Sequence, residues 1–229
     1  MADWSLMPSY RGKRALDLGL VLLASPLWVP LLLAVAVAVR LRLGSPVFFR
    51  QARAGLNDRS FELMKFRTMT DDHDSDGQLL PDDKRLTPFG RWLRSTSLDE
   101  LPELVNVLRG DMSITGPRPL LVQYLPLYSS DHRRRHDVRP GLTGLAQVSG
   151  RNSLSWSERF DLDVWYVDHA SIRLDLNILA RSVGTVLGHK GIGAAPGEVT
   201  MPYFTGYSSP EHPRSTSETP RSLDPDRTR

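Results

Sequence analysis

The sequence predicts an α+β chain, mostly helical. A re-entrant membrane helix–break–helix is joined to a compact cytoplasmic domain with a small β-hairpin and interfacial amphipathic helices. Three observations lead to this. Residues 18–39 form an apolar run without a charge; strand-like patterning is confined to residues 46–67; beyond it, apolar residues recur at helical spacing.

Composition narrows the class. Of 229 residues, 40% are apolar and 24% charged, which supports a packed core and excludes wholesale disorder. The net charge of +3 is too small to imply a nucleic-acid partner, and none is expected. With no cysteine, a disulfide framework, a thiolate metal site and a cysteine nucleophile are excluded.

Residues 1–10 are read as an N-terminal interfacial segment and 11–43 as the membrane unit. A straight helix over the apolar run would reach roughly 33 Å, against a hydrocarbon core of about 30 Å. Arg11, Lys13 and Arg14 precede the run, and Arg40 and Arg42 follow it. Positive charge favours the cytoplasmic side at both ends, which a single crossing does not satisfy. Pro26 leaves the carbonyl of Leu22 without its helical donor, and Pro30 does the same to Pro26. Ser25 can return a hydroxyl to a freed carbonyl at a depth where water does not. Alternatives are a kinked single-pass helix, a cleaved signal peptide ending near Ala34–Ala38, and a buried core helix.

Residues 44–205 are read as the domain. Val47–Phe49 and Phe61–Arg67 are strand-like around a turn at Gly55–Asp58, and the period of two sets Lys65 and Arg67 opposite Met64 and Phe66. The polar stretch Thr70–Lys84 holds Asp72-His73-Asp74-Ser75-Asp76-Gly77, with Asp83 at the twelfth position of a calcium-loop pattern. Pro81 and the strand-like entry favour a solvated acidic loop there. Helical patterning follows at Phe89–Leu93 and Leu98–Leu108. Then come Gly116-Pro117-Arg118-Pro119, a basic run Arg133–His136 and Arg139-Pro140-Gly141-Leu142-Thr143-Gly144. The basic run reads as a solvated or headgroup-facing surface, with a nucleotide diphosphate an equally natural partner. Leu176, Leu179, Val183 and Val186 define a helix face for the core or the headgroup region. Residues 206–229, rich in Pro, Ser, Thr and charge, are read as a disordered tail.

The densest chemistry is Ser97-Leu98-Asp99-Glu100. Adjacent carboxylates can divide labour, one attacking an electrophile while the other holds a divalent cation. The competing reading is a capping box, Ser97 with Glu100, and Asp99 in a first helical turn. Arg118, between two prolines, is held extended and suits either a phosphate fork or a solvated turn.

Several blocks stand in order along the chain: Lys13-Arg14-Ala15-Leu16-Asp17, Ser25-Pro26, Phe49–Gly55, Lys65-Phe66-Arg67-Thr68-Met69 and Leu86–Arg91. Leu93-Arg94, Ser97–Pro102, Asn106–Ser113, Gly116–Pro119, Arg139–Gly144 and Ala146-Gln147-Val148 follow. Together they resemble the bacterial small monotopic phosphoglycosyl transferases, over about residues 11–187. Gly191-Ile192-Gly193, Thr200-Met201-Pro202 and Phe204-Thr205-Gly206 resemble the branch that acts on N-acetylated amino sugars. Asp58 stands where a second turn glycine is usual, and Leu145 where tryptophan is common.

The resemblance implies a membrane helix broken at Ser25-Pro26 and a two-step transfer from a UDP-sugar to polyprenyl phosphate, the first membrane step of glycan assembly. Asp99 would be the nucleophile and Glu100 would help bind Mg²⁺, with Lys65, Arg94 and Arg118 on phosphate oxygens. Arg67, on the Lys65 face, and Arg139 complete the expected substrate-binding set. The expected partners are the UDP-sugar, polyprenyl phosphate and membrane lipids, and the expected place is the cytoplasmic face of the bacterial inner membrane. Two other classes fit paired acids beside basic residues: a membrane-anchored metal-dependent phosphatase, and an anionic-lipid binding module without catalysis.

Overall fold

The computed structural model describes residues 10, 12–150, 154–187 and 203–207. Outside them lie Arg11, Gly191–Gly193, Thr200–Pro202, all but Tyr10 of the expected interfacial segment, and all but Gly206 and Tyr207 of the expected tail.

The apolar run folds as two helices, α1 (Lys13–Leu23) and α2 (Ser25–Leu43), with Ala24 between them. The break sits where local chemistry demands it. Pro26, in the first turn of α2, has no N–H for the carbonyl of Leu22, and Ser25 Oγ donates to that carbonyl at 2.7 Å. Trp28 Nε1 donates to Val21 O at 2.9 Å and ties the second helix to the first. Pro30 lies inside α2, which is long and apolar enough to cross a membrane; Leu22, Leu23, Leu27, Leu31 and Leu33 are exposed.

Both helices are fastened to the domain. Val21 packs with Leu63, Val107, Met112 and Ile114, and Val35 and Val39 pack with Phe66 and Leu93. The flanking charge needs correction here. Lys13, 7% exposed, pairs with Asp175 at 2.5 Å and donates to Thr115 Oγ1 at 2.8 Å. Arg14 donates to the carbonyls of Val107 and Leu108, at 2.5 and 3.0 Å. These two cations hold the domain; Arg40 and Arg42 stay exposed.

The hairpin pairs β1 (Phe48–Ala54) with β2 (Ser60–Phe66), antiparallel, from Phe48↔Phe66 to Ala54↔Ser60. At its tip Asn57 and Asp58 have φ of 52° and 60°, so the aspartate adopts the backbone expected of the missing glycine. The Asp58 carboxylate accepts from Arg133 Nε at 2.7 Å. In the acidic loop Asp74 Oδ1 accepts from the N–H groups of Asp76 and Gln78, at 3.0 and 2.9 Å, a local turn use of the carboxylate.

Next come α3 (Asp82–Arg85) and α4 (Pro88–Ser95), whose N-cap Thr87 accepts from Gly90 N at 2.9 Å. The helix expected over Leu98–Leu108 is divided into a 3-10 turn at Leu98–Glu100 and α5 (Glu103–Arg109). Pro102 precedes α5, in keeping with its missing donor. β3 (Ser113–Thr115) then lies parallel to β4 (Gly141–Thr143), with α6 (Ser130–Arg133) between them in sequence.

This crossing explains the paired glycine motifs. A Cβ on Gly141 would lie 2.2 Å from Gly116 N and 2.4 Å from Thr143 O, with only backbone there to yield. We expect Gly141→Ala to destabilise the solubilised protein by about 3 kcal/mol or more in thermal unfolding. A melting temperature equal to wild type would show that the crossing relaxes.

Helices α7 (Leu145–Ser149), α8 (Trp156–His169) and α9 (Ile172–Leu187) close the domain. Ser155 and Glu158 form a capping box on α8. Leu145 is buried with Ala146, Leu162, Tyr166, Val167 and Ile178, so its substitution for tryptophan is a packing change. The expected face of α9 is divided between the core and the exposed surface. Asp175 and Ile178 turn inward with Leu179, while Leu176 and Val183 are exposed, because the Tyr10, Lys13 and Tyr166 contacts to Asp175 set the rotation. The Val186 side chain lies outside the described residues.

Candidate active site

The Lys65 side of the hairpin faces the 3-10 turn and the start of α5. Lys65 Nζ donates to Glu100 Oε1 at 2.6 Å and lies 3.1 Å from Glu103 Oε1. Arg118 Nη2 donates to the same Glu100 oxygen at 2.5 Å. Two cations thus converge on one carboxylate oxygen, brought together from β2, the turn and the proline-flanked segment.

Local backbone explains how adjacent acids take different surroundings. Ser97 has φ 56°, in the left-handed region, and no side-chain capping bond. The capping-box reading is therefore overturned: Glu100 serves Lys65 and Arg118, while Asp99 turns inward at 8% exposure. Among the described residues Asp99 forms no ion pair.

The charges follow from this. Burial, and then the neighbouring Glu100 charge, push the Asp99 carboxyl up to about 6, against the opposing fields of Lys65, Arg94 and Arg118. Burial alone would raise Glu100 too, but Arg118 and Lys65 outweigh it and hold that carboxyl well below the usual range. Glu103, 2% exposed, is pushed up to about 7 by burial and by Glu100. Glu100 in turn raises the Arg118 guanidinium. The site therefore holds one firmly ionised acid, gripped by two cations, beside one buried acid without a partner charge in contact.

Arg118 is positioned through its backbone. Its carbonyl accepts from Arg135 Nη2 at 2.8 Å, and Arg135 grips Asp163 through Nε and Nη2 at 3.0 and 2.7 Å. Arg135 is 2% exposed and His136 is buried as well, so the second half of the basic run departs from the solvated or headgroup-facing surface expected of it, while Arg133 stays exposed and Arg134 partly so. Arg133 and Arg134 are also committed, to Asp58 and Asp168.

The other expected residues divide. Arg94, in the last turn of α4, donates to Thr68 Oγ1 at 3.1 Å and acts on Asp99 through space. Arg67 lies just past β2 and is directed elsewhere, to the carbonyls of Leu43 and Ser45 and to Asp71, strapping the end of α2 to the hairpin. Arg139 donates to Gly110 O at 2.8 Å, about 10 Å along α5 from Glu103. Glu103, Arg135 and Asp163 were not anticipated. Glu103 had a signal, since residues 99, 100 and 103 share one side of a helical turn; one buried arginine within a run of four basic residues had none.

Asp99 and Glu100 offer hard oxygen donors, and among the described residues no group of three or more ligating side chains occurs. That donor set fits Mg²⁺, which takes one or two carboxylates together with substrate phosphates.

Comparison with known proteins gives the family. Residues 9–189 match the family described as bacterial sugar transferase. The chain is 57% identical over 178 residues to an uncharacterized sugar transferase, EpsL, of Bacillus subtilis (strain 168), covering 78% of this chain and 87% of that one. It is 41% identical to a UDP-glucose:undecaprenyl-phosphate glucose-1-phosphate transferase of Caulobacter vibrioides, covering 76% of this chain and 69% of that one. A protein of the same name from Xanthomonas campestris pv. campestris is 43% identical over 72% of this chain, which spans 36% of that longer protein.

Proposed function

This chain belongs to the bacterial sugar transferase family, and on that premise we propose that it moves a sugar-1-phosphate from a UDP-sugar to polyprenyl phosphate and releases UMP. The observation that carries the reading is the adjacency of Asp99, buried and without an ion pair among the described residues, to Glu100, clamped by Lys65 and Arg118.

In the first step the Asp99 carboxylate attacks the sugar-linked phosphorus. The bond from that phosphorus to the bridging oxygen breaks, and its electron pair leaves with UMP. The sugar phosphate is then an acyl phosphate on Asp99. In the second step an oxygen of polyprenyl phosphate attacks the same phosphorus, giving polyprenyl-diphospho-sugar and freeing the carboxylate. Phosphoryl transfer depends chiefly on placement and charge neutralisation. The acceptor phosphate is already ionised, so the site needs no strong general base. Lys65 and Arg118 hold phosphate oxygens, while Arg94 adds positive field at the nucleophile. Glu100 would help hold Mg²⁺, which when bound supplies further charge neutralisation on the phosphates.

The membrane reading rests on where the apolar pair is fastened. Lys13 and Asp17 tie the start of α1 to Asp175 and Ser113, while Val35 and Val39 tie the far half of α2 to Phe66 and Leu93. Both ends return to one body, which supports a re-entrant segment over a full crossing; on this reading the site lies at headgroup depth on the cytoplasmic face. Tags at residues 3 and 215 are expected on the same, cytoplasmic side in protease-protection assays; labelling on opposite sides would count for a crossing.

We take the donor to be an N-acetylated amino sugar, from the resemblance of the 191–206 stretch. The deciding experiment incubates membranes carrying the protein with a panel of UDP-sugars, polyprenyl phosphate and Mg²⁺, and reads UMP. Release of inorganic phosphate or free sugar phosphate, indifferent to acceptor, would make it a phosphatase instead.

A further inference from the structure

Arg53 sits on the same hairpin face as Lys65. The register opposes Phe49 to Lys65, Gln51 to Leu63 and Arg53 to Phe61, so one side of the sheet carries Lys65, Gln51 and Arg53 in steps of two. Lys65 reaches the carboxylates; Arg53 reaches the segment that carries Arg118. Its Nη1 donates to Pro119 O at 3.4 Å, one residue beyond Arg118, and the backbone there is locked by Ala54 N donating to Leu120 O at 3.0 Å.

This arginine is committed only to neutral groups. Nη2 donates to Gln51 Oε1 at 2.6 Å, Nε is buried without a hydrogen-bond partner, and among the described residues no carboxylate pairs with it. Burial, and then the like charge of Arg118, disfavour its charged form, with Glu103 opposing. A guanidinium fastened to the Arg118 segment, lying in the field of that like charge and keeping a buried idle donor, is suited to an incoming anion.

We propose that Arg53 is the second arm of a two-arginine clamp with Arg118, and that it binds the phosphate that departs with the nucleoside. The assignment rests on the transferase reading. Asp99, Glu100 and Arg118 surround the phosphorus under attack, and Arg53, displaced from Arg118 by one proline, meets the neighbouring phosphate of the diphosphate. In that position it neutralises charge on the leaving UMP. A purely structural Arg53 would only tie β1 to the 118–120 segment.

The test compares UMP with uridine, which differ by that phosphate alone. For the solubilised full-length protein, inhibition of UDP-sugar turnover and equilibrium binding by calorimetry are measured with both. Arg53→Gln is expected to weaken UMP at least tenfold in both assays and to raise the KM for the UDP-sugar comparably, with uridine unchanged. Arg53→Lys, which keeps the charge without the fork, is expected to fall between wild type and Arg53→Gln. It also serves as the readout if the glutamine variant loses its thermal unfolding transition. UMP binding unaltered in both variants, or UMP and uridine weakened equally, overturns the clamp. A wild-type protein that is inhibited by UMP while Arg53→Gln is inhibited equally removes this assignment alone. A wild-type protein that releases no UMP from any UDP-sugar removes the transferase reading, and the clamp with it.

Discussion

Asp99→Asn is expected to lower UMP release by about 10³-fold or more while making the folded protein more stable at pH 8. The two effects have one cause. Asparagine keeps the shape of the side chain but offers no carboxylate oxygen to bond phosphorus. It also removes a charge that the fold disfavours. Burial, with Glu100 adding to it, lifts the Asp99 carboxyl from its ordinary 3.8 to about 6, so the folded state holds this proton more tightly than the unfolded chain does. The stability it contributes is fully present below about 3.8 and is lost as pH rises through about 6. At pH 8 the wild type therefore carries a penalty on the order of 2–3 kcal/mol that the asparagine variant lacks. The difference in melting temperature between the two should hold nearly level well above pH 6 and shrink as pH falls through about 6 toward 4. Undiminished UMP release by the variant would remove Asp99 as nucleophile, and a variant no more stable at pH 8 would contradict the buried charge.

Lys13→Met should be among the most destabilising single changes, lowering stability by about 3–5 kcal/mol. Asp175 is almost wholly buried, and Lys13 is its counter-ion at 2.5 Å, while the Tyr10 and Tyr166 hydroxyls donate to its two oxygens at 2.7 Å each. Deleting the ammonium leaves a buried carboxylate with neutral donors alone. Thr115 Oγ1 loses a partner in the same change. The double variant Lys13→Met with Asp175→Asn should recover much of the loss, because no uncompensated charge remains. Thermal unfolding of the solubilised proteins measures both. A single variant that melts with wild type would mean that water reaches Asp175 and that α1 is held chiefly by Val21.

Features that depend on near neighbours in the chain were readable in advance. A proline four residues past Leu22 removes a specific donor, and a serine between them supplies another, so the break and its repair at Ser25 follow from covalent chemistry. The hairpin, the paired acids and the proline-flanked arginine were visible for the same reason. Ser97 is the instructive failure: serine three residues before glutamate is the signature of a cap, and at Ser155–Glu158 that signature is correct. At Ser97–Glu100 it is not, because Lys65, from a strand 35 residues away, and Arg118 claim the glutamate.

Arg67 shows the limit of strand periodicity. Alternation aligned it with Lys65, but β2 ends at Phe66, and beyond a strand the period of two no longer governs direction. The carbonyls at the end of α2 take the guanidinium instead.

Short-range covalent facts in the chain were enough to settle where its backbone bends and which reactive groups are adjacent: the helix break, the tip of the hairpin, Asp99 beside Glu100. Folding in three dimensions settled which charges are spent inside and which face the site. Lys13 and Arg135 look like surface residues until Asp175 and Asp163, separated from them by 162 and 28 positions, neutralise them in the interior. The reason is physical. A bend follows from bonds that one residue lacks or supplies, whereas a charge can be buried only when a partner elsewhere in the chain arrives to offset its desolvation.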